Sequence, residues 1–147
     1  MGRSYYSTVL DRPADEVWAV VRDFNGLATW FSPPVSSSLT EDGRAGDQVG
    51  AVRRFVLGDG TIRERLLAHS DLDRGYTYQF ADPKPFPVDN YVATLRVTPV
   101  TDGDRSFVEW WTTFDPEPGE SLAHWEAFFA AEVFKPALDT LRAYLAR

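Results

Sequence analysis

Two side chains set the chemical question, Arg53 and Glu64. They sit in two alternating segments, residues 50–57 and 61–69, which the spacing predicts to be a hairpin. Asp59-Gly60 is a favoured two-residue turn between them. That turn sets Leu57 opposite Ile62, Phe55 opposite Glu64 and Arg53 opposite Leu66. Directly paired residues point the same way, so these six share one face. The other face carries Arg54, Val56, Arg63 and Arg65, a composition suited to water. The apolar, inward face therefore holds an arginine and a carboxylate. In this register they are diagonal neighbours, about 7–8 Å apart at the backbone and within reach of each other. Burial raises the pKa of a carboxylic acid, and a neighbouring guanidinium lowers it. Their balance decides whether Glu64 can give or take a proton. The plainer alternative is an ion pair that fixes strand register. Such a pair adds little net stability, because desolvation of both charges offsets their attraction.

A second carboxylate, Glu109, depends on a turn. A strict two-residue Asp102-Gly103 turn pairs Arg96 with Glu109 on the solvent side. A three-residue loop with a bulge shifts parity and turns Glu109 inward, opposite Leu95. Tyr91 shares that ambiguity, and its hydroxyl is a neutral hydrogen-bonding handle. Trp110 and Trp111 are adjacent, so one faces the inner side and the other the outer side. His69 and His124 are the only histidines, and neither has a partner at metal-ligand spacing, so no metal site is expected. There is no Gly-x-Ser-x-Gly elbow, P-loop or dinucleotide fingerprint, and no cofactor is implied.

These residues need a scaffold, and the longest element that could supply one is the last. Leu122, Trp125, Phe129, Val133, Ala137, Leu141 and Tyr144 recur at spacings of three and four, one face of an α-helix over residues 121–147. About 25 helical residues span on the order of 37 Å. Pro136 removes one backbone bond and is expected to kink the helix. Its apolar face must be covered, and only the strands upstream are long enough to do so. Residues 4–10 read as a strand and residues 13–23 as a helix, with Pro13 in the first turn and Asp15 and Glu16 near its positive end. Residues 27–31 form a short helix or turn. Strands follow at 35–40, 50–57, 61–69, 76–80, 91–97 and 106–114. Tyr76, Tyr78 and Phe80 give the 76–80 strand one aromatic face. Residues 82–87 hold three prolines and form a stiff, irregular loop.

Composition narrows the partners. The net charge of −7 argues against nucleic-acid or anionic-membrane surfaces, which need clustered Lys and Arg. With no cysteine there is no disulfide framework and no thiolate chemistry. No apolar run reaches 18 residues and the start lacks an apolar signal region, so a cytoplasmic, non-membrane protein of one domain over residues 1–147 is expected, as a monomer or homodimer.

The order of one strand, two short helices, about six consecutive strands and a long helix gives an α+β chain with an antiparallel sheet. With Pro13-Ala14-Asp15-Glu16-Val17-Trp18, the 60–66 segment Gly-Thr-Ile-Arg-Glu-Arg-Leu, then Asp71 and Tyr78, and Phe134-Lys135-Pro136-Ala137-Leu138, it resembles the SRPBCC superfamily. That superfamily includes START domains, Bet v 1-like allergens, plant hormone receptors and bacterial polyketide cyclase/dehydrase-like proteins; the last look closest. The resemblance implies a helix-grip fold, a curved sheet of six to seven strands around the C-terminal helix with a ligand cavity between. It also implies polar pocket positions at Arg53, Glu64, Tyr91 and Glu109, and helix positions at Phe129, Val133 and Ala137; for Glu109 it favours the inward orientation. The hormone receptors' anchoring lysine falls among Ser36, Ser37 and Ser38, and their gate loop falls at residues 57–60 without its proline. A different ligand is therefore implied.

Three functions follow. One is binding a small hydrophobic molecule, lipid-, polyketide- or steroid-like, with Arg53, Phe55, Ile62, Glu64, Tyr78, Tyr91, Ala93, Glu109, Trp111, Trp125, Phe129, Val133 and Ala137 as the contact set. Another is a polyketide cyclase or dehydratase, with Glu64 or Glu109 as general base and Tyr91 or Arg53 stabilising an enolate oxygen. A third is a protein-interaction module like the Hsp90 activators. A closed, filled interior favours the third; an open tunnel reaching both glutamates favours the first two.

Overall fold

The computed structural model describes residues 1–147. Strand β1 (Gly2–Leu10) is followed by helices α1 (Ala14–Val21) and α2 (Leu27–Trp30). Six strands then run in succession: β2 (Val35–Thr40), β3 (Val52–Leu57), β4 (Gly60–Ser70), β5 (Gly75–Phe80), β6 (Val88–Val100) and β7 (Arg105–Pro116). They form one antiparallel sheet in the order β1-β7-β6-β5-β4-β3-β2. β2 to β7 is a plain meander. β1 and β2 lie at opposite edges, and α1 and α2 carry the chain between them. α1 buries Ala14, Val17, Trp18 and Val21 at helical spacing and packs on β6 and β7. The C-terminal helix lies against β1 and β7, which completes a helix-grip fold.

The C-terminal helix is not one continuous α-helix. It runs as α3 (Leu122–Phe128), a π-helical turn (Phe129–Phe134) and α4 (Lys135–Leu145). Pro136 has no N–H for the carbonyl of Glu132, and the ladder slips just before it. Lys135 N–H bonds to the carbonyl of Ala130, five residues back. Residues five apart stack along such a turn, so Phe129 and Phe134 both face the sheet, and both are fully buried. The expected kink is thus an insertion that brings a second ring into the interior. Ser4 ties β1 to this turn, its hydroxyl donating to the Glu126 carbonyl and accepting from Ala130 N–H.

Two registers decide what faces inward. The β3–β4 turn is Gly58-Asp59, not Asp59-Gly60. Gly58 has φ +63°, which suits glycine at the first central position of a type II′ turn, and Leu57 pairs with Gly60. The pairing slips by an even number, so the inward set is unchanged, but Arg53 now lies directly opposite Glu64 and Phe55 opposite Ile62. Between β6 and β7 the loop is the four residues Thr101 to Asp104. Four has the parity of two, so Arg96 pairs with Glu109 on the outer face. The inward members of β7 are therefore Val108, Trp110, Thr112 and Phe114, all buried.

Candidate functional site

Arg53 and Glu64 face each other at the floor of the space enclosed by sheet and helix. Arg53 Nε donates to Glu64 Oε1 at 2.8 Å, and Nη2 lies 2.7 Å from the same oxygen. Nη1 reaches the Tyr76 hydroxyl at 3.5 Å. The guanidinium lies 4.1 Å from the ring centre of Phe24 and 4.9 Å from that of Tyr78, with Phe55 and Tyr76 slightly farther. This cage of rings leaves Arg53 1% exposed and Glu64 5%. Burial pushes the Glu64 carboxyl above the usual carboxylate range, with Arg53 opposing. Burial lowers the Arg53 pKa, but Glu64, Tyr76 and Tyr78 outweigh it and the guanidinium stays charged.

Around this pair the wall is almost wholly apolar. Trp110 Nε1 donates to the Tyr78 hydroxyl at 3.0 Å. Tyr91 stacks on Phe80 at 3.9 Å between ring centres and also meets Phe129. Phe86, from the loop between β5 and β6, packs on Trp125, Phe128 and Phe129. Trp110 stacks on Phe134 of the π-turn. Burial raises the Tyr78 and Tyr91 phenols well above their ordinary value, so both are neutral donors or acceptors. The free space among these rings is about 30 Å³, room for about two water molecules. The open tunnel that reaches two glutamates is absent; the enclosed space is small and meets one of them, so its volume taken alone favours the interaction module.

Of the expected residues, Arg53, Phe55, Ile62, Glu64, Tyr78, Tyr91 and Val133 come together around this space. Tyr91 is inward by the plain alternation of β6, in step with buried Ala93, Leu95 and Val97; the bulge between Asp89 and Val92, with Asn90 at φ +55°, shifts the residues before it and turns Val88 inward. Ala93, Trp125, Phe129 and Ala137 are buried in the core but do not border the free space. Glu109 and Trp111 are corrections. Loop parity turns both outward, where Glu109 accepts from the Tyr5 hydroxyl at 2.7 Å and Trp111 stacks on Tyr5. Six lining residues were not in the expected set: Leu27, Phe31, Leu57, Phe80, Phe86 and Trp110. Leu57 and Phe80 carried a signal, since each shares a face with expected residues. Trp110 was one of the two orientations left open. Phe86 lies in the proline-rich loop, which has no period to read.

No group of three or more His, Cys, Asp or Glu side chains converges as metal ligands would. His69 instead meets Asp71, with Nε2 3.0 Å from its carboxylate. No helix is long and apolar enough to cross a membrane.

Comparison with known proteins places this geometry. A family model described as polyketide cyclase/dehydrase and lipid transport matches residues 1–146. The solved structure of the protein XoxI from Bacillus cereus is 33% identical, with a TM-score of 0.84 over 99% of this chain and 96% of that one. A Thermobifida fusca protein solved by NMR is 32% identical, with a TM-score of 0.85 over 98% of this chain and 93% of that one. The structure of Ara h 8.0201 is 12% identical, with a TM-score of 0.77 over 99% and 98%, and shares the fold. No curated protein matches.

Proposed function

The chain belongs to the polyketide cyclase/dehydrase and lipid transport family, and from that premise we propose that it binds a small hydrophobic molecule between the sheet and the C-terminal helix. One observation carries the reading. A charged pair is enclosed by aromatic rings, and one of its carboxylate oxygens takes no bond from the protein. A domain that only needed packing would be served as well by two apolar side chains there. A polar handle within an apolar wall is the composition of a ligand pocket.

A ligand larger than about two water molecules must displace side chains to enter. Leu57, Phe80, Phe86 and Val133 line the space yet are only half buried, so the rim is the side that yields. The whole of residues 1–147 acts as one binding unit in this reading. Cyclase or dehydratase chemistry is the second reading, favoured by the same free oxygen, which could accept a proton from a carbon acid. Glu64 would then act alone, since Glu109 is on the outer face.

The test is a titration with Nile red, an uncharged apolar dye, alongside native mass spectrometry of protein purified from its own host. The expected result is saturable one-to-one binding that Val133→Trp abolishes, with a co-purified small molecule. No saturable binding and no co-purified molecule would leave the filled interior as the whole account, and the protein-interaction reading would replace this one.

A further inference from the structure

The binding reading leaves the polar end of the ligand unspecified, and the pair at the floor of the site specifies it. We infer that the site selects molecules whose polar end donates a hydrogen bond and bears no negative charge, such as a phenol or an alcohol, and rejects carboxylates of the same skeleton. The inference rests on the binding reading and deepens it.

Arg53 is the group an acidic ligand would seek. Its Nε donates to Glu64 Oε1, Nη2 lies against the same oxygen and Nη1 is turned to the Tyr76 hydroxyl, so three of its five N–H groups are engaged. Its faces are covered by Phe24 and Tyr78, and it is 1% exposed. It borders the free space beside Glu64, so an anion there would have to compete with Glu64 for its charge. The glutamate is in the opposite position. Both guanidinium contacts fall on Oε1, so Oε2 takes no protein donor, and Glu64 borders the free space. The site thus presents a bare carboxylate oxygen, an acceptor, in apolar surroundings. The Tyr78 hydroxyl already accepts from Trp110. A hydroxyl brought to Oε2 would gain a charge-assisted hydrogen bond. A carboxylate brought there would meet a like charge where few polar groups screen it. The fold's overall charge of −7 adds to that rejection rather than relieving it.

The experiment compares three probes with one skeleton, 2-naphthol, naphthalene and 2-naphthoate, by calorimetry on the full chain at neutral pH. The expected order is naphthol tightest, naphthalene about tenfold or more weaker for want of one hydrogen bond to a charged acceptor, and naphthoate weakest. Glu64→Gln removes the negative charge and frees Arg53 for an anion, so the preference for naphthol over naphthoate should shrink or reverse. Glu109→Gln, on the outer face, should leave the order unchanged. Naphthoate binding as tightly as naphthol overturns the inference while leaving the binding reading intact. Naphthol and naphthalene binding alike overturns the role of Oε2. Binding of none of the three overturns the inference, and overturns the binding reading as well if Nile red also fails to bind and no molecule co-purifies. The wild-type order needs no variant, so a poorly folding Glu64→Gln does not shield the inference.

Discussion

Arg53–Glu64 and Arg22–Asp71 pair the same two chemical groups in two surroundings. Asp71, in the turn after β4, is exposed, and every nearby donor is aimed at it. Trp18 Nε1 from α1 donates at 2.9 Å, Arg22 Nε and Nη2 each donate at 3.0 Å, and His69 Nε2 lies 3.0 Å away. Arg22 also reaches Asp47 at 3.2 Å. This cluster pins α1 to the sheet, and its carboxylate is fully subscribed. The Arg53–Glu64 pair is buried and under-subscribed, with one oxygen left over. Under the binding proposed above, the contrast separates a fastener from a site: the exposed pair is satisfied within the fold, whereas the buried pair keeps an acceptor that a ligand would meet.

The largest effect should come from breaking the buried pair one side at a time. Glu64→Leu strands a guanidinium among rings and should destabilise the fold by about 3–5 kcal/mol in urea unfolding. The double variant Arg53→Met/Glu64→Leu removes both charges and should recover most of that loss. If the double variant is as unstable as the single, the pair is a structural necessity and its contrast with Asp71 dissolves.

The two carboxylates should also respond to pH with opposite signs. Hydrogen bonds from Arg22, then Trp18 and His69, hold the Asp71 pKa below the usual range. Its contribution is present above the unfolded carboxylate pKa and is lost as pH falls toward the lowered folded value. Burial raises the Glu64 pKa, with Arg53 opposing. Its folded form holds a proton more tightly, so stability falls as pH rises from the unfolded carboxylate pKa through the raised folded value. Stability curves of Asp71→Asn and Glu64→Gln against wild type, between about pH 3 and 7, isolate each slope within the carboxylate range. Slopes of the same sign would erase the distinction.

Much of this was readable in the chain, and the unread parts share a cause. β2 was bounded at both ends, by Pro34 and by Asp42-Gly43, and the structure places it over the expected residues. The inward set on β3 and β4 survived a misplaced turn because the slip was even and faces depend only on parity. Glu109 and Trp111 were lost to the same rule, since the length of the Thr101 to Asp104 loop alone decided their side. Pro136 announced a break in the helix, but whether the chain bends or inserts a π-turn depends on what packs beneath it, here Trp110 under Phe134. Free volume was the least legible quantity. Periodicity tells which rings point inward, not how deeply Phe86 from an aperiodic loop and Phe134 from a slipped helix fill what lies between.

The smallest expected effect is at Glu109, and it bears on the comparison because it is a third carboxylate with a polar partner. It accepts from Tyr5 on the outer sheet face beside Trp111 and opposite Arg96. Like Asp71 it is partnered within the fold, and unlike Glu64 it is open to water, so removing its charge leaves nothing stranded. Glu109→Gln keeps an acceptor for the Tyr5 hydroxyl and should change stability by no more than about 0.5 kcal/mol, the range of surface substitutions. It should leave the binding order of naphthol, naphthalene and naphthoate as in wild type. A large loss of naphthol binding in this variant would mean that the outer face communicates with the enclosed one. The line between the two partnered carboxylates and Glu64, proposed to meet the ligand, would then have to be redrawn.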